Sequence, residues 1–153
     1  MPALTYATFP SLRGRDLGRS EWLPIGQDRI DAFAACTLDD QWIHVDRQRA
    51  AAGPFGTTIA HGYLTLALLV PMLTSLGTFP TDGTTIINYG IDRLRFLRPV
   101  PSDARVRAHA VLADVQPRGE DRLLASYDCE VEIEGQDGPA LAARVLHLLV
   151  APA

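Results

Sequence analysis

The hydrophobic pattern of this chain changes period near Gly77, and that change restricts the fold more than any other feature. Before it, the run from Tyr63 to Leu73 is apolar nearly all round, as in a buried helix. After it, four segments show the apolar alternation of strands. One buried helix followed by four strands predicts an α+β domain, with an antiparallel sheet curled around a long central helix.

Turn and cap signals place the expected elements. The helix is expected over about 60–76, with a kink at Pro71, because proline lacks the N–H that an interior turn needs. Strands are expected over 84–98, 104–115, 123–133 and 141–150. Gly90 marks a bulge or a bend in the first strand. The last strand is apolar on both faces and should therefore be central.

The first half of the chain predicts shorter elements. Asp28 is a suitable N-cap for a helix that ends near residues 37–38, and Asp46 is a suitable N-cap for a short helix over 47–52. Residues 21–25 are expected to form a short strand. Residues 1–20 contain proline and glycine with little periodicity, and are expected to be a loosely structured lead-in or a strap across the domain.

Length and charge limit the classes of protein to which the chain can belong. Its 153 residues fit one domain, taken as 1–153. A net charge of −4 and a pI of about 5.5 argue against a nucleic-acid partner. The longest apolar run is too short to span a bilayer, so no membrane partner is expected. Cys36 and Cys129 form neither a metal-binding pattern nor a disulfide framework, and no signal peptide is evident, so a cytoplasmic location is expected.

Asp39 and His44 are the first candidates for chemistry. On one continuous helix they would point about 140° apart, so they can meet only if the chain turns between them. Asp-Asp-Gln at 39–41 favours such a turn, since these side chains bond to local backbone. A carboxylate and an imidazole that flank one water suit acid/base chemistry on a carbonyl compound. The alternative is that Asp39 is a turn residue and His44 a hydrogen-bonded polar residue.

Gly62, at the start of the buried helix, is the second candidate. The first amides of a helix lack internal partners and lie at its positive end. A glycine lets a ligand oxygen approach such an amide, as in an oxyanion hole, although the same glycine would also permit tight packing. His61 is a candidate substrate contact, but a neighbouring cap position also offers it backbone partners.

Three further residues are candidates for substrate binding. Arg95, with Arg93 and Arg98, lies in a strand pattern where an arginine either meets the phosphates of a nucleotide-bearing ligand or belongs to a solvated face. Asn88 interrupts an apolar strand, and its amide would contact a pantetheine arm or bond to a neighbouring backbone. Gln41 supplies an amide in the turn before His44.

Four segments resemble the MaoC-like dehydratases, a family that includes (R)-specific enoyl-CoA hydratases. The segments are Asp39–Asp46 (DDQWIHVD), Pro54–Gly56, Ile59–Gly62 and Ile87–Gly90. The family's usual motif is Asp-x-Asn-Pro-x-His followed by a small residue and His-Gly. The Gln-Trp version found here is similar to the branch named after nodulation protein N. The resemblance covers most of the chain from Trp22 to Val150.

The resemblance implies a hot-dog fold, usually paired as a homodimer, and reversible addition of water to a trans-2-enoyl-CoA. It implies that Asp39 and His44 are the catalytic pair and that Gly62 N–H is the oxyanion-hole amide. CoA would enter with the substrate, and no separate cofactor or metal is expected. The acyl chain would lie along the buried helix, with Leu64 and Leu68 limiting its length.

This chain departs from the family pattern at two places. Gln41-Trp42 replaces Asn-Pro, which makes the turn before His44 less rigid by itself. Val70 stands where some hydratases carry a serine, and Thr65 is not an evident substitute. Two alternatives remain open: a hot-dog acyl-CoA thioesterase, which free-thiol release would reveal, and a non-catalytic acyl-CoA-binding subunit, which would bind without turnover.

Overall fold

The structure, a computed structural model, describes residues 3–153. A 3-10 helix (Phe9–Leu12) precedes six strands and five short helices among these residues. The helices are α1 (Gln27–Thr37), α2 (Trp42–Val45), α3 (Arg47–Ala51), α4 (Gly62–Ala67) and α5 (Leu69–Ser75). The strands are β1 (Asp16–Arg19), β2 (Leu23–Ile25), β3 (Thr85–Phe96), β4 (Ala104–Pro117), β5 (Arg122–Ile133) and β6 (Pro139–Val150). None of the helices within 3–153 has the length and apolarity needed to cross a membrane.

One antiparallel sheet contains all six strands. Its order is β1-β4-β5-β6-β3, and β2 pairs with β4 beside β1. The expected central position of the last strand is confirmed, because β6 pairs with β5 on one side and with β3 on the other. The expected bulge is also confirmed, because the β3–β6 register shifts between Asn88 and Gly90.

The core lies between the concave face of this sheet and α4–α5. Every second residue of β5 is buried there: Leu123, Ala125, Tyr127, Cys129, Val131 and Ile133. The same hydrophobic cluster contains Leu64, Leu68, Leu69, Met72 and Leu73 from the helices. The expected α+β architecture, a curved antiparallel sheet wrapped around a helical segment, is therefore confirmed.

The central helix is shorter and less enclosed than expected. It begins at Gly62 instead of residue 60, and it breaks at Leu68 into α4 and α5. Pro71 explains the break, because it has no N–H to offer the carbonyl four residues earlier. One side of the helix is uncovered in the single chain, where Tyr63 is 66% exposed and Val70 39%.

Two expectations for the first thirty residues are wrong. Residues 9–19 are not loosely structured, because Phe9 is fully buried in the core and β1 pairs with β4; the alternative of a strap matches this arrangement. Asp28 is not the N-cap of α1. Gly26 holds that position, and Asp28 lies in the first turn, where its negative charge favours the helix dipole.

Candidate active site

The turn that brings Asp39 towards His44 begins at the end of α1. Leu38 adopts a left-handed conformation, with φ of 62°, and terminates the helix. The chain then turns through residues 39–41 before α2 carries His44 inward. Ligand atoms of Asp39, His44 and His61 all lie within 4.8 Å of one another. The predicted meeting of Asp39 and His44 is therefore present, and the chain does turn between them.

His44 is held in one tautomer by the backbone. Its ring is buried, and Nδ1 lies 2.7 Å from the carbonyl oxygen of Ile59. Because a carbonyl only accepts, Nδ1 carries the hydrogen and the neutral ring keeps a bare lone pair on Nε2. Burial lowers the pKa of His44, while the bond to Ile59 and the charge of Asp39 oppose that shift. His44 is thus suited to accept a proton near neutral pH.

His61 lies beneath this pair instead of facing a ligand. Its ring stacks on that of His44 with centroids 3.8 Å apart, and it is 2% exposed. Its Nε2–H donates to the backbone carbonyl of Asp39 over 2.9 Å, while the Asp39 carboxylate, 4.0 Å away, is half exposed. The predicted substrate contact of His61 stays a prediction; the buried ring has a backbone partner, as the alternative expected, although that partner is the distant Asp39 and not a neighbouring cap position. His61 positions Asp39 and supports His44.

Gln27, which the sequence did not indicate, ties three segments together around His44. Its buried side-chain amide donates to the carbonyl of His44 and to Asp31, each over 2.7 Å. Its side-chain oxygen accepts a hydrogen bond from the hydroxyl of Thr58. The side chain thereby fixes α2 against α1 and against the loop before α4. A lone glutamine at the start of a helix carries no sequence signal for this role.

Trp42 stabilises the turn that lacks the family's proline. It is the first residue of α2, and the guanidinium of Arg49 lies 4.4 Å from its ring centroid. A side chain at Gly53 would lie about 3.0 Å from the indole, so Gly53 allows the loop to close over it. Asp46 caps α3 as predicted, accepting from Arg49 N–H over 2.9 Å. Packing around Trp42 replaces the rigidity that a proline would supply.

A cavity of about 250 Å³ opens beside His44 and is called here the catalytic cavity. Its polar or charged lining consists of His44, Thr65 and Arg98, and Gly62 borders it at the start of α4. A Cβ at Gly62 would lie 3.0 Å from the ring of Phe96, so the glycine does permit close packing. The same lack of a side chain leaves the first-turn amide approachable from the cavity. Both readings of Gly62 therefore have a physical basis.

The structure separates several predicted binding residues from this cavity. Arg95 lines a larger groove of about 720 Å³ with Asp128 and Arg144, on the sheet face opposite the helix. Its contact with ligand phosphates stays a prediction, and Arg98 is the basic residue at the catalytic cavity. Gln41 is exposed at the start of α2 and stays a prediction. Buried Thr65, discounted from the sequence, does line the cavity.

A second cavity of about 340 Å³ lies between α4–α5 and the pair β3–β6, and is called the distal cavity. From the helix it is lined by Tyr63, Leu66, Ala67, Leu69 and Val70. Asn88 and His147 border it from the sheet, so Asn88 lies here and not at the catalytic cavity. Leu64 and Leu68, expected to limit a chain, are packed in the core and line neither cavity.

The cluster of Asp39, His44 and His61 also offers ligand atoms for a cation. The sequence search for metal-binding spacings missed it because the three residues come from separate segments. Nδ1 of His44 and Nε2 of His61 already donate to carbonyls, however. Nε2 of His44, the Asp39 carboxylate and the buried Nδ1 of His61 are the atoms of this cluster left without a hydrogen-bond partner among the described residues.

The chemistry of these groups is that of a proton-transfer enzyme. A neutral imidazole with a free lone pair, a nearby carboxylate and a helix amide are the parts needed to add water to a double bond beside a carbonyl, or to remove it. Fold and site together define a hot-dog protein with an acid/base site at the start of its central helix.

Comparison with known proteins gives the family. Residues 8–131 match the MaoC like domain. Nodulation protein N of Rhizobium leguminosarum bv. viciae is 45% identical over 150 residues, covering 97% of this chain and 93% of that protein. The 3-hydroxyacyl-thioester dehydratase Z of Mycobacterium tuberculosis is 44% identical over 146 residues, covering 95% of each chain. The solved (R)-hydratase from A. caviae, involved in PHA biosynthesis, superposes with a TM-score of 0.67 at 25% identity, covering 88% of this chain and 96% of that one.

This chain belongs to the MaoC-like dehydratase family. The resemblance read from the motifs is confirmed, including its nodulation protein N branch. The enzyme class is that of a hydro-lyase, which adds or removes water.

Proposed function

We propose that this protein is an (R)-specific enoyl-CoA hydratase that reversibly adds water to trans-2-enoyl thioesters of CoA. The observation that carries the proposal is the neutral tautomer of His44, which lines the catalytic cavity and has a ring nitrogen within 4.8 Å of the Asp39 carboxylate. The names of the dehydratase and (R)-hydratase relatives support the thioester substrate and the stereochemistry. CoA enters as part of the substrate, and the proposed steps use no other cofactor.

In the hydration direction, Nε2 of His44 removes a proton from water while the Asp39 carboxylate orients that water. The water oxygen bonds to the β-carbon, and the double-bond electrons move to the thioester oxygen as an enolate. Gly62 N–H donates a hydrogen bond to that oxygen. The imidazolium of His44 then returns its proton to the α-carbon, which regenerates the neutral ring and completes the addition of one water.

The acyl chain is assigned to the distal cavity, because that cavity follows the helix away from Gly62 and is lined mainly by apolar side chains. Asn88, at the border of this cavity, would then contact the acyl chain instead of a pantetheine arm. Ala67 and Val70 then replace the expected Leu64 and Leu68 as the helix residues that limit the chain.

A homodimer formed through β3 completes the proposal. This strand of 12 residues is the sheet edge beyond β6, and its apolar side chains Ile87, Tyr89, Ile91 and Phe96 are each at least 43% exposed. A long apolar edge favours pairing with another strand. We also propose a cytoplasmic location, where CoA thioesters and the unpaired Cys36 and Cys129 suit a reducing compartment.

The test is a hydration assay on crotonyl-CoA that follows loss of the conjugated enoyl-thioester absorbance. Asp39→Asn and His44→Ala should each lower kcat/KM about 10²-fold or more while leaving the fold intact, as circular dichroism would show. Asp40→Asn is the matched control, because this neighbouring carboxylate lies outside the cluster.

Wild-type turnover in both cluster variants would refute the assignment of Asp39 and His44. Release of free CoA thiol would identify a thioesterase instead. Binding of several acyl-CoAs without either reaction would identify a binding subunit.

A further inference from the structure

One wall of the distal cavity carries a polar side chain that the proposed hydration does not use. His147 of β6 is 4% exposed and pairs in register with Asn88 of β3. Aromatic rings hold it in place: the centroids of Phe79 and Tyr127 lie 5.3 and 5.4 Å from that of His147. The imidazole is therefore fixed at the edge of a mainly apolar pocket.

The His147 ring has no hydrogen-bond partner among residues 3–153. Its Nδ1 is enclosed without a partner, and so is the hydroxyl of the adjoining Tyr127. Two unpartnered polar groups in one buried cluster are costly, because each loses its hydration and gains nothing in return. Leucine at position 147 would avoid that cost, whereas a polar group that reaches the imidazole from the cavity would offset it.

The charge of the distal cavity limits which polar ligand group His147 could bind. Burial lowers the pKa of His147 to about 4, so the ring is neutral at pH 7 and offers one donor and one acceptor. Neither arginine nor lysine lines the cavity. A buried carboxylate would therefore lack a counter-ion, whereas a hydroxyl or keto oxygen would be satisfied by a single hydrogen bond.

We propose that His147 binds a neutral oxygen substituent on the distal part of the acyl chain, so that the preferred substrates are enoyl thioesters with an oxygenated chain. This inference rests on the proposed function, because it takes the distal cavity as the acyl site. The helix residues that line the cavity extend to Val70, and the eight steps from Gly62 to Val70 span about 12 Å along the helix. The oxygen therefore lies well beyond the reacting carbons, and His147 sets specificity without touching them.

The experiment compares octenoyl-CoA with a series of isomers that carry one hydroxyl on successive distal carbons. For the best isomer we expect a wild-type kcat/KM at least about tenfold above that of octenoyl-CoA, since a buried hydrogen-bonding site rejects an analogue that leaves it unpaired. His147→Leu should remove this preference. His147→Gln, which keeps a donor and an acceptor, should restore part of it. His109→Leu makes the same change on β4, where His109 bonds to exposed Asp16, and should leave the ratio unaltered.

Binding of the saturated counterparts, measured by titration calorimetry, separates this inference from the proposed reaction. If crotonyl-CoA is not hydrated but the hydroxylated thioester still binds about tenfold more tightly, and His147→Leu abolishes that difference, the inference holds and the reaction assignment fails. Equal Kd values for plain and hydroxylated thioesters would overturn the inference, even for an active hydratase. A preference that survives in His147→Leu would overturn it as well.

Discussion

At the residue scale, the site depends on which nitrogen of each histidine carries the hydrogen. Backbone carbonyls accept from Nδ1 of His44 and from Nε2 of His61, and the two rings stack 3.8 Å apart. Two imidazolium ions at that distance would repel each other strongly. His61 therefore favours the neutral form of His44, and a proton taken up by His44 during catalysis is held only briefly.

The pH dependence of hydration should report this arrangement. Burial lowers the pKa of His44, so its base form persists below pH 6.5, the ordinary value for histidine. On lowering the pH, kcat/KM with crotonyl-CoA should stay level until the pH passes below 6.5, and then fall about tenfold per pH unit. His44→Gln should hydrate crotonyl-CoA more slowly, and its pH profile of kcat/KM should show no acidic limb. An acidic limb centred above pH 6.5 would contradict the assignment of His44 as the base.

Protein stability should respond to pH through His147. Its pKa is about 4 in the folded chain and about 6.5 in the unfolded chain, so between these values the unfolded state binds more protons. Above pH 6.5 the ring is neutral in both states and does not affect the free energy of unfolding. As the pH falls from 6.5 towards 4, the unfolded state is protonated first, and the free energy of unfolding decreases by about 3 kcal/mol in all.

Urea unfolding of the wild type and of His147→Leu across this pH range would measure the difference. Between pH 6.5 and pH 4, the free energy of unfolding of the variant should fall by about 3 kcal/mol less than that of the wild type. Parallel curves for the two proteins would show that His147 titrates normally.

At the element scale, the sequence predicted elements whose period is regular and missed features that depend on tertiary contacts. The four long strands and the bulge at Gly90 followed from alternation and from one glycine, and the structure agrees closely. The core position of Phe9 could not be read locally, because a single aromatic residue has no period. The roles of Gln27 and Arg98 depend on segments that meet only after folding.

In the candidate site, too, the sequence predicted local geometry and missed positions that depend on tertiary contacts. The turn between Asp39 and His44 followed from helical geometry, because a continuous helix would have separated them. The sequence could not tell which of Arg95 and Arg98 borders the catalytic cavity, because that depends on where β3 ends. Strand β3 ends at Phe96, so Arg95 is held on the sheet face opposite the helix, and Arg98, beyond the end of the strand, borders the catalytic cavity.

The distal cavity gives a prediction about helix α4. Ala67 lines that cavity from the helix, and a larger side chain there would occupy the space assigned to the acyl chain. Ala67→Phe should lower kcat/KM for octenoyl-CoA at least about tenfold more than for crotonyl-CoA, because steric exclusion affects only the longer chain. The comparison of the two substrates within one variant controls for any change in folding. An equal loss on both substrates would refute the location of the acyl chain.

At the scale of the whole molecule, the exposed edge of β3 is the feature to test. Ile87 is 45% exposed on that edge and lines neither the catalytic nor the distal cavity. Ile87→Lys should weaken the proposed dimer at least about tenfold, because each copy then brings a charge into an apolar contact. Light scattering over a concentration series would measure the change.

Leu38→Lys is the matched control, since Leu38 is 87% exposed at the end of α1 and away from the edge strand. It should leave the molar mass unchanged. A wild-type protein that is monomeric at micromolar concentration would refute the dimer.

The strap that includes residues 9–19 has a consequence for the edge of the sheet opposite β3. There, β4 is covered by two short, separate strands, β1 and β2, and the β1 pairing is itself irregular between Asp16 and Gly18. This interrupted edge offers an incoming strand no continuous row of unpaired backbone N–H and C=O groups. Polymerisation by strand addition needs two receptive edges on each molecule. Within residues 3–153 the sheet has one such edge, at β3, so growth by this route stops when that edge is paired.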